Sequence, residues 1–171
     1  NVRTKETPFG EYLCVTDLAK VVGDKTGKII GNWFSLIGTI EFLKEWELRY
    51  NAKNFNVLRY QDIRINAGTL KFSLSAKKWI EETSATGVIS EAGRYGGTYA
   101  HNAIALEFCS AISPAFKLGV YVDYIELKEE KAQQWLKTYQ FYLGKIEDNS
   151  MENNRLAKDL HDNRRKLKER E

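Results

Sequence analysis

The strongest constraint on this chain lies after Pro114, where no further proline occurs and Glu, Lys, Gln, Leu and Ala dominate. Proline ends helices because it lacks the amide hydrogen and its ring strikes the preceding turn, so a proline-free stretch of good helix formers reads as one or two long helices. Ser113-Pro114 supplies the start, an N-cap followed by proline at the first helical position. Counting from Trp135 in alternating steps of four and three reaches Tyr139, Tyr142, Ile146, Asn149, Asn153, Leu156, Leu160, Asn163 and Leu167, a heptad seam holding three Asn. A break or kink is expected at Glu147-Asp148-Asn149-Ser150. The seam has two readings: a coiled coil joining two copies of the chain, or Trp135 to Ile146 packed within the chain and the rest a solvated helix. The basic flank Arg164-Arg165-Lys166-Lys168-Arg170 is interleaved with acids and reads as a solvated helix end.

Ahead of that helix, strand and helix signals alternate. Glu11-Tyr12-Leu13-Cys14-Val15 is a β-rich run, and Thr16-Asp17 offers an N-cap for a short helix that Gly23 stops. Ile30, Trp33, Phe34 and Ile37 repeat at the spacing of an amphipathic helix closed by Gly38. Thr39 caps a second helix with Phe42, Leu43, Trp46 and Tyr50 inward and Glu41, Lys44, Glu45 and Glu47 outward. Asn51 to Gly68 reads as a loop with brief strands at Asn56-Val57-Leu58 and Asp62-Ile63-Arg64-Ile65, and Leu70 to Leu74 alternates as a half-buried strand. Ser75 caps a helix over Ala76 to Ala85, with Trp79 and Ile80 inward. Val88-Ile89-Ser90 and Thr98-Tyr99-Ala100 flank the turn-rich Gly93-Arg94-Tyr95-Gly96-Gly97, which reads as the tip of a β-hairpin, and Asn102 opens another helix. The class is α+β, and Trp33, Trp46 and Trp79 are core residues.

Composition narrows the function. A chain of 171 residues, 43% apolar and 29% charged, is a globular domain with an appendage rather than a low-complexity or collagen-like polymer. No apolar run reaches membrane-spanning length and no hydrophobic stretch follows the charges of Asn1 to Glu6, so neither a membrane span nor a signal peptide is expected. Cys14 and Cys109 are the only cysteines, which fits a reducing, cytoplasmic setting. His101 and His161 are the only histidines, and Cys109 sits among Leu106, Phe108 and Ile112 as a core thiol rather than a nucleophile. Metal and nucleotide motifs are lacking, and Gly93, Gly96 and Gly97 have the wrong spacing for a dinucleotide loop. Asp123 with Glu126 and Lys128 offers a nuclease two carboxylates and a lysine, but its alternating charges read as a solvated helix face. No catalytic residue, metal or cofactor is expected.

With 26 basic and 23 acidic residues the net charge is only +3, so a polyanion would have to be met by a local basic patch. Lys20, Lys25 and Lys28 surround the turn before the first long helix, Lys77 and Lys78 open the helix after Ser75, and Arg94 lies beside Tyr95 at the hairpin tip. Together they can form one face, with lysines neutralising phosphates, Arg94 clamping a phosphate or entering a groove, and glycines admitting the backbone to a duplex.

The string Gly93 to His101, followed by Ile104-Ala105-Leu106-Glu107-Phe108 and Ile112-Ser113-Pro114-Ala115-Phe116-Lys117-Leu118, resembles the signature of the KilA-N domain. Thr16-Asp17-Leu18-Ala19-Lys20, Asn32-Trp33, Thr39-Ile40-Glu41-Phe42-Leu43 with Trp46-Glu47, and Leu74 to Glu81 resemble its other blocks in the same order, over about Glu11 to Lys128. That family, of bacteria, phages and large DNA viruses, is similar to the fungal APSES domain. The resemblance implies a winged-helix-like domain at residues 11–131 with a small antiparallel sheet, followed by a helical extension or coiled coil at 132–171. It implies binding of double-stranded DNA through a helix-turn-helix unit between Lys28 and Tyr50, contributing Lys28, Asn32, Ser35 and Thr39, and through a wing contributing Arg94, Tyr95, Gly96, Gly97 and Thr98. Lys20, Lys25, Lys77 and Lys78 flank it. Family members commonly carry x-Arg-Asn-Arg-Asn after Asn-Trp, whereas this chain has Phe34-Ser35-Leu36-Ile37-Gly38. The expected role is a non-enzymatic transcriptional regulator or a phage or mobile-element protein, cytoplasmic or nucleoid-associated, with a homodimer through the C-terminal helix as a further expectation. The alternative is a protein-interaction or assembly module with weak or lost DNA binding.

Overall fold

The computed structural model describes residues 1–69, 71–93 and 96–168, with the side chains of residues 153, 157 and 160–168 outside that description. Arg94 and Tyr95 at the hairpin tip, and the seam side chains of Asn153, Leu160, Asn163 and Leu167, therefore lie outside the described residues. Two units divide the chain, Asn1–Leu118 and Gly119–Glu171.

The first unit opens with strands β1 (Thr4–Thr7) and β2 (Gly10–Cys14), then helices α1 (Val15–Ala19), α2 (Thr26–Phe34), α3 (Ile37–Tyr50), α4 (Val57–Asn66) and α5 (Ala76–Thr83). Strands β3 (Val88–Glu91) and β4 (Gly97–His101) form the hairpin, and α6 (Asn102–Ile112) follows. The sheet is antiparallel in the order β1-β2-β4-β3, with Glu91 opposite Gly97 at the loop end of the hairpin and Leu13 opposite Ala100 in the middle. One core joins the helices to the sheet through Ile30, Trp33, Phe34, Leu43, Trp46, Trp79, Val88, Ile104 and Phe108. The three expected core tryptophans are in it, and Trp33 packs edge-on against Phe34 and Phe108 at 5.0 and 5.1 Å. Gly87 is where α3 and α6 close on the sheet: a Cβ there would lie 2.6 Å from the Trp46 ring and 2.7 Å from Ile104.

The second unit is helical. Helix α7 runs Pro114–Lys168, and Ser113 caps it as the sequence predicts, its Oγ accepting from the Phe116 amide at 3.2 Å. The helix continues through Glu147 to Ser150 without the expected break, because each residue there costs only tenths of a kcal/mol in propensity and none removes a ladder donor. Trp135, Tyr139, Tyr142, Ile146 and Leu156 of the seam are exposed, and the Trp135 and Tyr139 rings stack at 5.4 Å. Among the described residues no helix is long and apolar enough to cross a membrane.

Several local expectations are corrected. The brief strands at 56–58 and 62–65 are one helix, α4, started by the Asn56 side chain accepting from the Arg59 amide at 3.1 Å and held by buried Tyr60 and Ile63 one turn apart. Of the strand expected at Leu70 to Leu74, Leu70 lies outside the described residues and Lys71 to Leu74 is not a strand, because the Leu74 amide donates to the Ser35 hydroxyl rather than to a neighbouring strand. Gly38 and Thr39 lie in the first turn of α3 instead of separating two helices, and the break falls at Ser35-Leu36. Thr16 and Asp17 are inside α1, which Cys14 precedes as N-cap residue. Glu47 does not face solvent. It is fully buried, with its carboxylate accepting from the Gly87 amide at 2.7 Å, the Thr86 amide at 3.0 Å and Asn51 Nδ2 at 2.8 Å.

Candidate nucleic-acid interface

Helix α2 buries Ile30, Trp33 and Phe34, so Lys28, Asn32 and Ser35, at i, i+4 and i+7, share the opposite face. Ser35 links that face to the next element: its Oγ donates to the Gly31 carbonyl at 2.8 Å and accepts from the Leu74 amide at 3.0 Å. The segment so fastened leads straight to Ser75, whose Oγ accepts from the Lys78 amide at 3.2 Å and starts α5. Lys77 and Lys78 are thereby carried beside α2. A cleft of about 650 Å³ between these elements is lined by Lys28, Asn32, Ser35, Leu36, Ser73 and Lys78 among others. A second, of about 290 Å³, shares Gly31 and Ser75 with it and reaches the hairpin through Ser90, Glu91, Gly97 and Thr98. The α2 face, the first turn of α5 and the loop end of the hairpin are therefore contiguous.

The loop end of the hairpin is tightly fitted. A Cβ on Gly96 would lie 2.3 Å from the Glu91 carbonyl oxygen, and one on Gly97 would lie 3.2 Å from Cys14 Sγ and 3.3 Å from Thr16 Oγ1. In both places the missing Cβ leaves room for the protein's own backbone or for α1, a structural need separate from any approach to a ligand. The Thr98 amide donates to Thr16 Oγ1 at 2.9 Å, which seats the return strand on α1.

The cations are unevenly engaged. Lys77 and Lys78 make long i,i+4 contacts to Glu81 at 3.7 Å and Glu82 at 3.8 Å, exposed pairs that hold little energy and release readily to a polyanion. Among the described residues neither Lys25 nor Lys28 is held in an ion pair. Lys20 is paired with Asp17 at 2.8 Å, and its charge is offset locally. The Asp17 carboxyl is held well below the usual carboxylate range, first by hydrogen bonds from Arg3 and then by Lys20. Thr39 is buried at 3% exposure among core residues, so the face is built without it.

The other candidate chemistry has a structural account. His101 packs against the rings of Trp46 and Tyr50, its Nδ1 accepting from Trp46 Nε1 at 3.1 Å and from the Ala103 amide at 3.2 Å, and burial holds its pKa below the ordinary value. Burial pushes the Cys109 thiol up, which keeps it protonated beside the core. No group of three or more His, Cys, Asp or Glu side chains converges among the described residues. Three residues around the hairpin escape sequence reasoning: Thr16, Arg3 and Lys5, the last paired with Glu91 and lying 4.8 Å from the centre of the Tyr99 ring. Thr16 reads as a cap from its position before a helix, and only the tertiary fold reveals its partner as Thr98.

Residues 5–130 match the family described as KilA-N domain. The protein kilA of Escherichia phage P1 is 42% identical over 65 residues, an alignment covering 36% of this chain and 24% of that protein. The chain thus matches about a quarter of that relative's length. No solved structure matches the chain.

Proposed function

The chain belongs to the KilA-N domain family, generally one of DNA binding, and from that premise we propose that it binds double-stranded DNA through the α2 face, the first turn of α5 and the β3-β4 hairpin. The observation that carries this reading is the continuity of two clefts, one lined by Lys28, Asn32 and Lys78 and the other by Lys77 and the loop end of the hairpin. Lys28, Lys77 and Lys78 serve as phosphate contacts, with the partial positive charge at the start of α5 adding to the last two. Lys20 and Lys25 extend the positive edge. Arg94 and Tyr95, between Gly93 and Gly96, supply the groove-directed contacts of the hairpin, and the backbone of Gly96 to Thr98 presents them. Ser35 acts through the fold rather than as a contact. The binding unit is taken as residues 11–131, with 132–171 a helical extension that pairs two copies along the seam of α7, of which Trp135, Tyr139, Tyr142, Ile146 and Leu156 are exposed. The role is that of a non-enzymatic regulator or mobile-element protein acting on DNA inside the cell.

The replacement of the family's basic segment by Phe34 to Gly38 supports a second reading, an assembly module working through α7 with little DNA affinity. Titration against random duplex pools at two salt concentrations separates them. Three lysine contacts and Arg94 give a log-log salt slope of about −3.6, so affinity should fall roughly 10²-fold between about 50 and 200 mM salt. No binding at micromolar protein and about 50 mM salt refutes the DNA reading.

A further inference from the structure

The loop end of the hairpin is tied down by a residue just ahead of the family-matched segment. Arg3 Nε donates to Asp17 Oδ2 at 2.7 Å and Arg3 Nη2 to Oδ1 at 3.1 Å, a two-point guanidinium–carboxylate pair, while the Arg3 backbone amide reaches Oδ2 at 3.2 Å. The same guanidinium lies 3.4 Å from the Gly96 carbonyl through each of Nη1 and Nη2, 3.2 Å from Cys14 Sγ and 5.7 Å from the centre of the Tyr99 ring. Arg3 is locked to the sheet as well, its carbonyl accepting from the Cys14 amide at 2.8 Å. One side chain therefore joins the first turn of α1 to the residue at which the hairpin re-enters the sheet, and the Asp17 side chain it grips is only 8% exposed.

We propose that the Arg3–Asp17 pair is a positioning brace for the hairpin, fixing Gly96 to Thr98 against α1 so that the wing stands at a set angle to α2 and α5. The inference rests on the DNA-binding reading for its consequence, not for its geometry. Geometry and charge predict opposite things for Asp17. Counted as charge, Asp17 opposes a polyanion, and removing it should tighten binding. As half of a brace, it should be needed. Arg3 divides the same way: a phosphate contact tolerates lysine, whereas a planar fork gripping both carboxylate oxygens does not.

The test compares wild type with Arg3→Met, Arg3→Lys, Asp17→Asn and the Arg3→Met/Asp17→Asn double variant, each checked for folding by circular dichroism at the assay temperature. A labelled duplex selected from the random pool is titrated against each, and amide hydrogen exchange is followed at residues 96–98 and in α6. The brace predicts that all four variants weaken binding by about 2- to 30-fold, that the double variant is no worse than either single one, and that the 96–98 amides exchange faster while α6 keeps its protection. Tighter binding by Asp17→Asn, rescue by Arg3→Lys, additive losses, or unchanged exchange at 96–98 would each overturn it. If wild type binds no duplex, the function reading fails, and the exchange measurement alone decides the brace.

Discussion

Replacing Glu47 by alanine tests how the first unit is held together. The carboxylate is fully buried and receives the Gly87 amide at 2.7 Å, the Thr86 amide at 3.0 Å and the Asn51 side-chain amide at 2.8 Å, tying α3 to the residues that lead into β3. Alanine removes the acceptor and leaves two backbone donors stranded, Gly87 in a fully buried position and Thr86 in a partly buried one, at about 1 to 3 kcal/mol each. The desolvation cost of the buried carboxylate is returned, so the net loss should be about 2 to 4 kcal/mol, set by the neutral amides left without an acceptor. That is a large share of the stability of a small domain. Thermal unfolding followed by circular dichroism should show the midpoint lowered by roughly 10 to 20 °C. Glu47→Gln keeps one acceptor oxygen and the volume, and should lose about half as much. A Glu47→Ala variant within about 1 kcal/mol of wild type would refute the reasoning, because the amides would then have found water or another partner at no cost.

Further outcomes are expected. Arg94→Ala should weaken duplex binding by about 1 to 3 kcal/mol with unfolding unchanged, and an unaltered affinity in the folded variant moves the DNA surface off the hairpin. His101 is held in its neutral form by burial while the unfolded chain titrates near pH 6.5, so protons bind the unfolded state first; stability should drop as pH falls below about 6.5 and level off below the native value. Urea unfolding from pH 7.5 to 5 measures this, and an undiminished slope in His101→Gln would place the titration elsewhere. Sedimentation of the full chain should give twice the monomer mass and a truncation after Lys131 the monomer mass; two monomers remove the coiled-coil pairing.

Local chemistry was readable wherever partners are near in sequence. The Ser75 and Ser113 caps, the hairpin, the helix at 102–112 and the three core tryptophans all follow from spacing, and the ordered motif blocks carry the family. Misreadings arise where the partner is distant or the local pattern is ambiguous. Ile63-Arg64-Ile65 alternates like a strand, yet Ile63 is buried and Ile65 is 77% exposed, and the Asn56 cap decides for a helix. Glu47 looks solvated because its amide partners lie 39 and 40 residues away. Thr4 to Thr7 carries no apolar alternation, so β1 exists only through its pairing with β2. At the candidate face, the basic residues were legible as types; what could not be read was which of them are offset, as Lys20 is by Asp17, and that Thr39 is buried.

Ser35 stands where the resembling family commonly has the first arginine of its basic segment, and here its hydroxyl is a fastener between the Gly31 carbonyl and the Leu74 amide. An arginine at that position would offer donors only, with no acceptor for the Leu74 amide. Position 35 can therefore hold a charge reaching outward or a strap reaching inward, and in this chain it holds the strap. The cost of losing the strap would reach Lys77 and Lys78, because the segment it fastens leads into Ser75 and the helix that bears them.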